Sequence, residues 1–322
     1  MNPVAPTTAA FPAAPSLRPL RGVRITSLAL NLPGPAALMR LASMGARCLK
    51  IEPPAPPGAP ADTPGDPMGQ YNAGAYAQLH AGIRRRTLDL KTEAGQAALA
   101  RELARSDVLL TSFRPSALRK LGLSAGQLRR THPHLSLVAI VGAPGARAEA
   151  PGHDLTYLAE AGLVPGLELP PTLFADMAGA LLASEAVLQV VLAQRAPGGT
   201  AQRGGMARRG RSVEVALSEA AAWLALPLRW GLTQRQGAVG GAHAGYRVYA
   251  CADGRVAVAA LEPHFAQALC RAAQIEYRSL STLFAPETHE RLTRFFAGQT
   301  RAALDALAEH ADIPLQTLGE AE

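Results

Sequence analysis

The residues with the clearest chemical potential are one histidine and two aspartates in segment 151–195. His153 and Asp154 stand together near its start, and Asp176 follows as a second isolated carboxylate. An imidazole and a carboxylate that approach from two segments could carry out general acid–base catalysis. Each also has a structural explanation, because an aspartate can cap the free amide groups of a helix and a histidine can simply belong to a loop.

Asp176 stands at the mouth of a long apolar stretch with helical spacing. Only Glu185 and Arg195 are charged between Asp176 and the end of this stretch. The apolar residues that recur at helical intervals are Leu181, Leu182, Val187, Leu188, Val191 and Leu192. This pattern predicts a mostly buried helix that begins beside Asp176.

The elements before this helix alternate between strands and helices. Apolar, β-branched runs predict strands at 23–30, 48–52, 87–90, 107–112 and 135–141. Helical stretches lie between them, for example at 36–43 and 93–104. The alternation predicts an α/β fold with a Rossmann-like, doubly wound parallel sheet. No G-x-G-x-x-G is present, so the dinucleotide-binding fingerprint is missing.

A second, smaller domain is expected towards the C-terminus. Two strand-like runs flank Asp253-Gly254, a strong hairpin signal, and amphipathic helices follow. We predict a disordered Pro/Ala-rich tail at 1–19, a large α/β domain at 20–212 and a small α+β domain at 213–310.

Composition narrows the class of partner. Lys and Arg number 32 against 25 Asp and Glu, a net charge of +7 that suits an anionic small ligand with several phosphates. No zinc-finger spacing or aromatic-interleaved basic patch predicts nucleic-acid binding, and no apolar run predicts a membrane span. The three cysteines, Cys48, Cys251 and Cys270, are widely spaced and favour a reducing cytoplasm.

A series of segments resembles the superfamily of family III CoA-transferases and α-methylacyl-CoA racemases. In chain order they are PGPAALMRLASMGARCLKIEPP, RRRTLDLKTEAG, SDVLLTSFRPSALRKLGL, GHDLTYLAEAGL, TLFADMAGALLASEAVL and YRVYACADGRVAVAALEPHF. The similarity extends over about residues 20–318. It implies a CoA thioester as substrate, no prosthetic group, and a homodimer of two interlocked chains. Residues 311–322 resemble the start of the segment that returns to the large domain in relatives, here shortened.

The resemblance divides between two chemistries. Transferases use one aspartate as a nucleophile, which corresponds to Asp176, whereas racemases use that aspartate and a histidine as two bases. Gly152-His153-Asp154 matches the GHD of the racemases, and Glu262-Pro263-His264-Phe265 matches their E-P-x-F. The resemblance therefore implies His153 and Asp176 as the bases and Glu262 as the residue that sets the tautomer of the histidine.

Four further residues are candidates for binding CoA. Arg114, Lys120 and Arg84 lie near predicted strand ends, where a diphosphate or 3′-phosphate could bind, and Asp154 is the fourth. Solvated surface charge is an alternative for each of the three basic residues. No metal is expected, because none of the acidic or histidine residues has ligand spacing.

The chemistry of a thioester agrees with the racemase interpretation. Removing an α-proton needs a positioned base and donors that stabilise the enolate, and helix amides near Asp176 could serve as donors. Inversion needs a second acid on the opposite face. Two alternatives stay open, a CoA transferase and a catalytically inactive CoA-binding relative. The second is suggested by a shorter segment between His153 and Asp176 than in racemases and by Thr172, where racemases usually have asparagine.

Overall fold

Six parallel strands form the sheet of the N-terminal unit, which ends at Leu224. A computed structural model describes residues 17–60, 63–195 and 209–320. The strands are β1 (Arg24–Ser27), β2 (Arg47–Glu52), β3 (Arg84–Thr87), β4 (Val108–Thr111), β5 (Ser136–Val141) and β6 (Ser212–Ala216). Their order in the sheet is β3-β2-β1-β4-β5-β6. This is the doubly wound order of Rossmann-like folds, so the predicted fold class is confirmed.

Helices connect the strands. They are α1 (Pro33–Ser43), α2 (Pro67–Tyr71), α3 (Ala73–Leu79), α4 (Glu93–Leu103), α5 (Pro115–Lys120), α6 (Ala125–Thr131), α7 (Asp154–Glu160), α8 (Phe174–Arg195) and α9 (Leu217–Leu224), with a 3₁₀ turn at Gly145–Glu149. Proline near the first position helps to start α1, α2 and α5, because its fixed φ suits a helix and its missing N–H is not needed there.

The predicted core helix is α8, which packs against α1, α7 and α9. Among the described residues it is also the one helix long and apolar enough to cross a membrane, although the sequence predicted no span. Half of its most apolar window is buried inside the chain, as expected for the core helix of a folded unit.

The third strand differs from its prediction. The apolar run at 87–90 was expected to form it, but β3 is Arg84–Thr87, which lies at the edge of the sheet with all four residues exposed. An exposed edge strand needs no apolar residues, so the hydrophobic pattern does not reveal it. Leu88 and Leu90 follow the strand and pack against the core.

The C-terminal unit, from Ala225 onwards, contains a three-stranded antiparallel sheet in the order β7-β8-β9. Its elements are α10 (Leu226–Arg229), β7 (Tyr246–Cys251), β8 (Gly254–Ala259), α11 (Pro263–Ala272), α12 (Pro286–Ala297), α13 (Arg301–Ala311) and β9 (Leu315–Leu318), with 3₁₀ turns at Ala238–Gly240 and Leu280–Phe284. In its core the rings of Tyr249 and Phe296 stack with centroids 4.8 Å apart.

The domain boundaries differ from those predicted. The boundary falls after Leu224 rather than after residue 212, because β6 completes the large sheet by pairing with β5. Segment 311–322 was expected to be the shortened start of a return to the large domain, yet β9 within it pairs with β8 and extends the small sheet. Residues 1–16 of the predicted tail lie outside the described residues. All three cysteines are unpaired.

Candidate active site

A cavity of about 140 Å³ lies at the carboxyl edge of the large sheet. Its walls include the turns after β1 (Leu30 and Asn31), after β4 (Ser112 and Arg114) and after β5 (Gly142). In the sheet β1 lies between β2 and β4, so the chain order reverses at this point. Ligands of open α/β sheets bind in the crevice beyond the carboxyl ends of the strands at such a switch point.

His153 and Asp176 both line this cavity. His153 is the N-cap residue of α7, and its backbone N–H donates to the hydroxyl of Thr156 at 3.1 Å. The imidazole is exposed, and it faces the backbone N–H of Thr156 in a capping box at the start of α7. Because the ring is exposed and lines the cavity, a substrate can reach it.

Asp176 lies in the first turn of α8, and its carboxyl group has an unusual proton affinity. Burial, and after it the negative charge of Asp154, raises its pKa from 3.8 to about 7. Both causes penalise the ionised form. Near neutral pH this carboxyl can therefore act as an acid or as a base.

Asp154 occupies a supporting position behind Asp176. It is 5% exposed, and its carboxylate accepts a hydrogen bond from the backbone N–H of Asp176 at 2.9 Å. This bond joins the start of α7 to the start of α8. It also engages a helix amide that the sequence had suggested as a donor for the thioester oxygen.

Tyr157 is a lining residue that sequence reasoning missed. Its hydroxyl lies so close to Gly142 and Gly152 that a Cβ on either glycine would collide with it, at 2.1 and 2.4 Å. Burial and the charge of Asp176 raise the pKa of the phenol, which keeps it a hydrogen-bond donor. An aromatic residue on the buried face of a helix gives no separate signal in the sequence.

A buried ion pair holds one wall of the cavity. Asn31, in the left-handed conformation with φ 62°, donates its backbone N–H to Asp66 at 2.9 Å. Asp66 also accepts from the backbone N–H of Met68 at 3.0 Å and from the ammonium of Lys50 at 2.5 Å. Lys50 and Asp66 are fully buried. Together they fix the turn after β1 that lines the cavity.

The same region contains a group of possible metal ligands that sequence spacing did not reveal. One ligand atom each from Glu52, Asp66 and His80 lies within 4.8 Å of the others. The ammonium of Lys50 lies 4.0 Å from Glu52 and 2.5 Å from Asp66, so it already supplies a cation to both carboxylates. We therefore assign no metal to this group.

The structure separates the other predicted site residues. Arg114 lines the cavity as the N-cap residue of α5, whereas Lys120 is exposed at the end of that helix and is not a lining residue. Arg84 begins β3 and therefore lies at the amino edge of the sheet, away from the cavity. Glu262 is the N-cap residue of α11 in the C-terminal unit, and its role towards His153 stays a prediction.

Comparisons with known proteins agree with the fold and with the sequence resemblance. A sequence model described as CoA-transferase family III matches residues 20–322. The chain is 29% identical over 304 residues to the α-methylacyl-CoA racemase of Homo sapiens, which covers 88% of this chain and 73% of the relative. It is 36% identical over 149 residues to the cinnamoyl-CoA:phenyllactate CoA-transferase of Clostridium sporogenes, over 45% of this chain and 36% of that one. The crystal structure of a hypothetical protein from Mycobacterium tuberculosis superposes with a TM-score of 0.74 at 24% identity, covering 93% and 83% of the two chains.

Proposed function

The chain belongs to CoA-transferase family III, and from this premise we propose that it acts on acyl-CoA thioesters as an α-methylacyl-CoA racemase. One observation carries the proposal: an imidazole, His153, and a carboxyl group, Asp176, line the same small cavity. Inversion at one carbon requires a group that removes the α-proton and another that returns a proton to the opposite face. The similarity to the human racemase supports this choice.

Each step in the proposed reaction is a proton transfer. One of the two groups takes the α-proton, and the electrons of the C–H bond move into an enolate whose negative charge rests on the thioester oxygen. The other group then protonates the α-carbon from the opposite face. A pKa of about 7 lets Asp176 take either part near neutral pH. The hydroxyl of Tyr157 is the donor that we propose for the enolate oxygen.

Binding of the CoA part involves residues outside the proton transfers. We propose that Arg114, which lines the cavity, binds a phosphate of CoA through its guanidinium group, and that exposed Lys120 supports it. Asp154 holds Asp176 in place through the bond to its amide. Glu262 is proposed to set the tautomer of His153. Proton transfer of this kind calls for no prosthetic group.

The first test is conversion of one epimer of a 2-methyl-branched acyl-CoA into the other. Purified protein is incubated with a single epimer, and the two epimers are resolved by chromatography. We expect an equilibrium mixture from either starting epimer, and no change in a 2,2-dimethylacyl-CoA, which lacks the α-proton. Stable single epimers in the presence of protein that binds the thioester would contradict the proposal.

A CoA transferase is the second candidate, and one feature favours it. Among the described residues that line the cavity, Asp176 is the only carboxylate. As a nucleophile it would attack the thioester carbonyl and release the CoA thiolate, which leaves a mixed anhydride. The thiolate would then attack the carbonyl of Asp176 and release the donor acid as its carboxylate, which leaves an enzyme–CoA thioester. The named CoA-transferase among the relatives points the same way. Transfer of CoA from an acyl-CoA to a free carboxylic acid identifies this activity, and CoA binding without either reaction identifies an inactive relative.

We also propose that the protein is a homodimer. On α8 the side chains of Phe174, Met177 and Leu181 are 40 to 50% exposed, and Trp223 on α9 is 68% exposed. Large apolar groups this exposed are typical of a surface that another chain covers. We expect light scattering to return the mass of a dimer that persists on dilution. A stable monomer would contradict this assembly.

A further inference from the structure

A second cavity lies at the amino edge of the large sheet, opposite the candidate active site. Its volume is about 570 Å³, and four arginines line it. Arg24, Arg47 and Arg84 are the first residues of β1, β2 and β3, and Arg105 follows the end of α4. We call it the arginine cavity.

The strand register places the three strand arginines on one face of the sheet. Arg24 is the direct partner of Arg47 in the β1–β2 ladder. Arg84 is the partner of Leu49, which stands two residues after Arg47 and so on the same face. Like charges side by side on neighbouring strands destabilise a sheet. An anion between them would remove that cost.

The nearby carboxylates do not neutralise the three strand arginines. Glu102 is engaged by Arg105 at 3.1 Å and by Arg86 at 3.2 Å. Asp107 accepts a hydrogen bond from the backbone N–H of Arg24 at 2.8 Å. In the part of the chain that the structure describes, the guanidinium groups of Arg24, Arg47 and Arg84 form no salt bridge.

We propose that the arginine cavity binds a small anion with two or more phosphate groups. Guanidinium groups match phosphate oxygens with paired hydrogen bonds, and several arginines on one wall suit more than one phosphate. A volume of about 570 Å³ is ample for such a ligand. The arginine cavity is separate from the candidate active site, because the two lie at opposite ends of the strands.

A purely structural explanation exists and makes a different prediction. Helices α1 and α4 end at this edge, where cations stabilise the negative ends of the helix dipoles. If the arginines only stabilised the helix dipoles, removing the charge of one of them would lower the stability of the protein whether or not an anion is present. A site for an anion predicts that Arg47→Gln leaves the melting temperature unchanged or higher in phosphate-free buffer.

The test uses inorganic pyrophosphate, with the full chain in a chloride buffer. Calorimetry is expected to show one pyrophosphate bound per chain and a dissociation constant at least about tenfold weaker for Arg47→Gln and for Arg84→Gln, since each loses a charge-assisted hydrogen bond. Arg129→Gln, an exposed arginine on α6 that does not line the cavity, is the matched control and should bind as the wild type does. No binding by the wild type, or equal binding by all variants, overturns the proposal.

A second titration distinguishes a free phosphorylated compound from the phosphates of CoA. Pyrophosphate is titrated into protein saturated with CoA. Unchanged binding is expected for a separate site, whereas displacement by CoA would assign the arginines to the CoA site and overturn the inference. The measurement needs no turnover, so its result is independent of whether the protein is a racemase.

Discussion

The carboxylate of Asp154 accepts a hydrogen bond from the backbone amide of Asp176 at 2.9 Å, across 22 residues of sequence. Because Asp154 directly follows His153, this bond ties the segment of the imidazole to the helix of the carboxyl group. The resemblance to racemases implied a shortened segment between them, yet both side chains line one cavity. The same carboxylate also helps to raise the pKa of Asp176.

Replacing Asp154 by asparagine separates these two effects. The amide oxygen can still accept from the N–H of Asp176, but the negative charge that raises the pKa is gone. The pKa of Asp176 should therefore fall while staying above its ordinary value, because burial is the larger cause. The acidic limb of the rate–pH profile is expected to move to lower pH. An unmoved limb in a folded variant would show that Asp176 does not control it.

The raised pKa of Asp176 also predicts how stability depends on pH. The pKa of this carboxyl group is higher in the folded protein than in the unfolded chain, so the unfolded chain ionises first as pH rises. The free energy of unfolding therefore falls between about pH 4 and about pH 7 and stays lower above that range. Asp176→Asn should therefore stabilise the protein at about pH 8, by on the order of 1–2 kcal/mol, and by less at about pH 5. The effect is this modest because solvent reaches the partly exposed carboxyl and screens it. Chemical denaturation at both pH values measures this. A variant that is less stable at pH 8 would contradict the burial argument.

Replacing His153 by alanine should abolish the interconversion of epimers. Loss of a positioned general base lowers the reaction rate by about 10²–10⁴-fold. Deuterium exchange at the α-carbon from the face of Asp176 is expected to survive for one epimer only. His310→Ala, an exposed histidine on α13, is the matched control and should be fully active. A mild effect of His153→Ala would favour the transferase, in which Asp176 alone does the covalent chemistry.

The proposed role of Glu262 can be tested through the same variant. Glu262→Gln should slow interconversion in the wild-type background, because the tautomer of the imidazole would no longer be fixed. In the His153→Ala background, where interconversion is abolished, the same change should not slow the deuterium exchange at the α-carbon that survives for one epimer. Equal losses in both backgrounds would show that Glu262 acts independently of His153.

The buried pair of Lys50 and Asp66 should dominate the stability of the wall beside the cavity. Lys50→Met leaves a buried carboxylate without its cation, which is expected to lower the free energy of unfolding by about 3–5 kcal/mol. Adding Asp66→Asn removes that charge and keeps the acceptor for the N–H of Asn31, so the double variant should recover part of the loss. Urea denaturation measures the free energy of unfolding of each variant. A double variant that is less stable than Lys50→Met alone would contradict this explanation.

Much of the fold could be predicted from local patterns. The apolar run of β5 and the helical spacing of α8 describe elements that are buried, so hydrophobicity reveals them. The position of β3 was predicted wrongly, because an exposed edge strand need not be apolar. The pairing of β6 with the large sheet was not predicted, because local hydrophobic periodicity does not show which strand a strand pairs with. In both cases the contact with a distant strand determines the structure.

The candidate site divides in the same way. His153 and Asp176 could be found because the motifs around them resemble those of a family. The Lys50–Asp66 pair gave no signal, since its members stand 16 residues apart and belong to no periodic pattern. Tyr157 gave none either, because an apolar helix face predicts a core aromatic and does not show that its hydroxyl reaches two glycines across a turn.

The measurement that tests the central claim most directly is deuterium incorporation at the α-carbon. Wild-type protein is incubated in deuterated water with each epimer of a 2-methyl-branched acyl-CoA, and the products are analysed by mass spectrometry. The two-base account predicts that one deuterium enters the α-position from either epimer, together with inversion. Protein that transfers CoA from an acyl-CoA to a free carboxylic acid while leaving the α-proton untouched would contradict it.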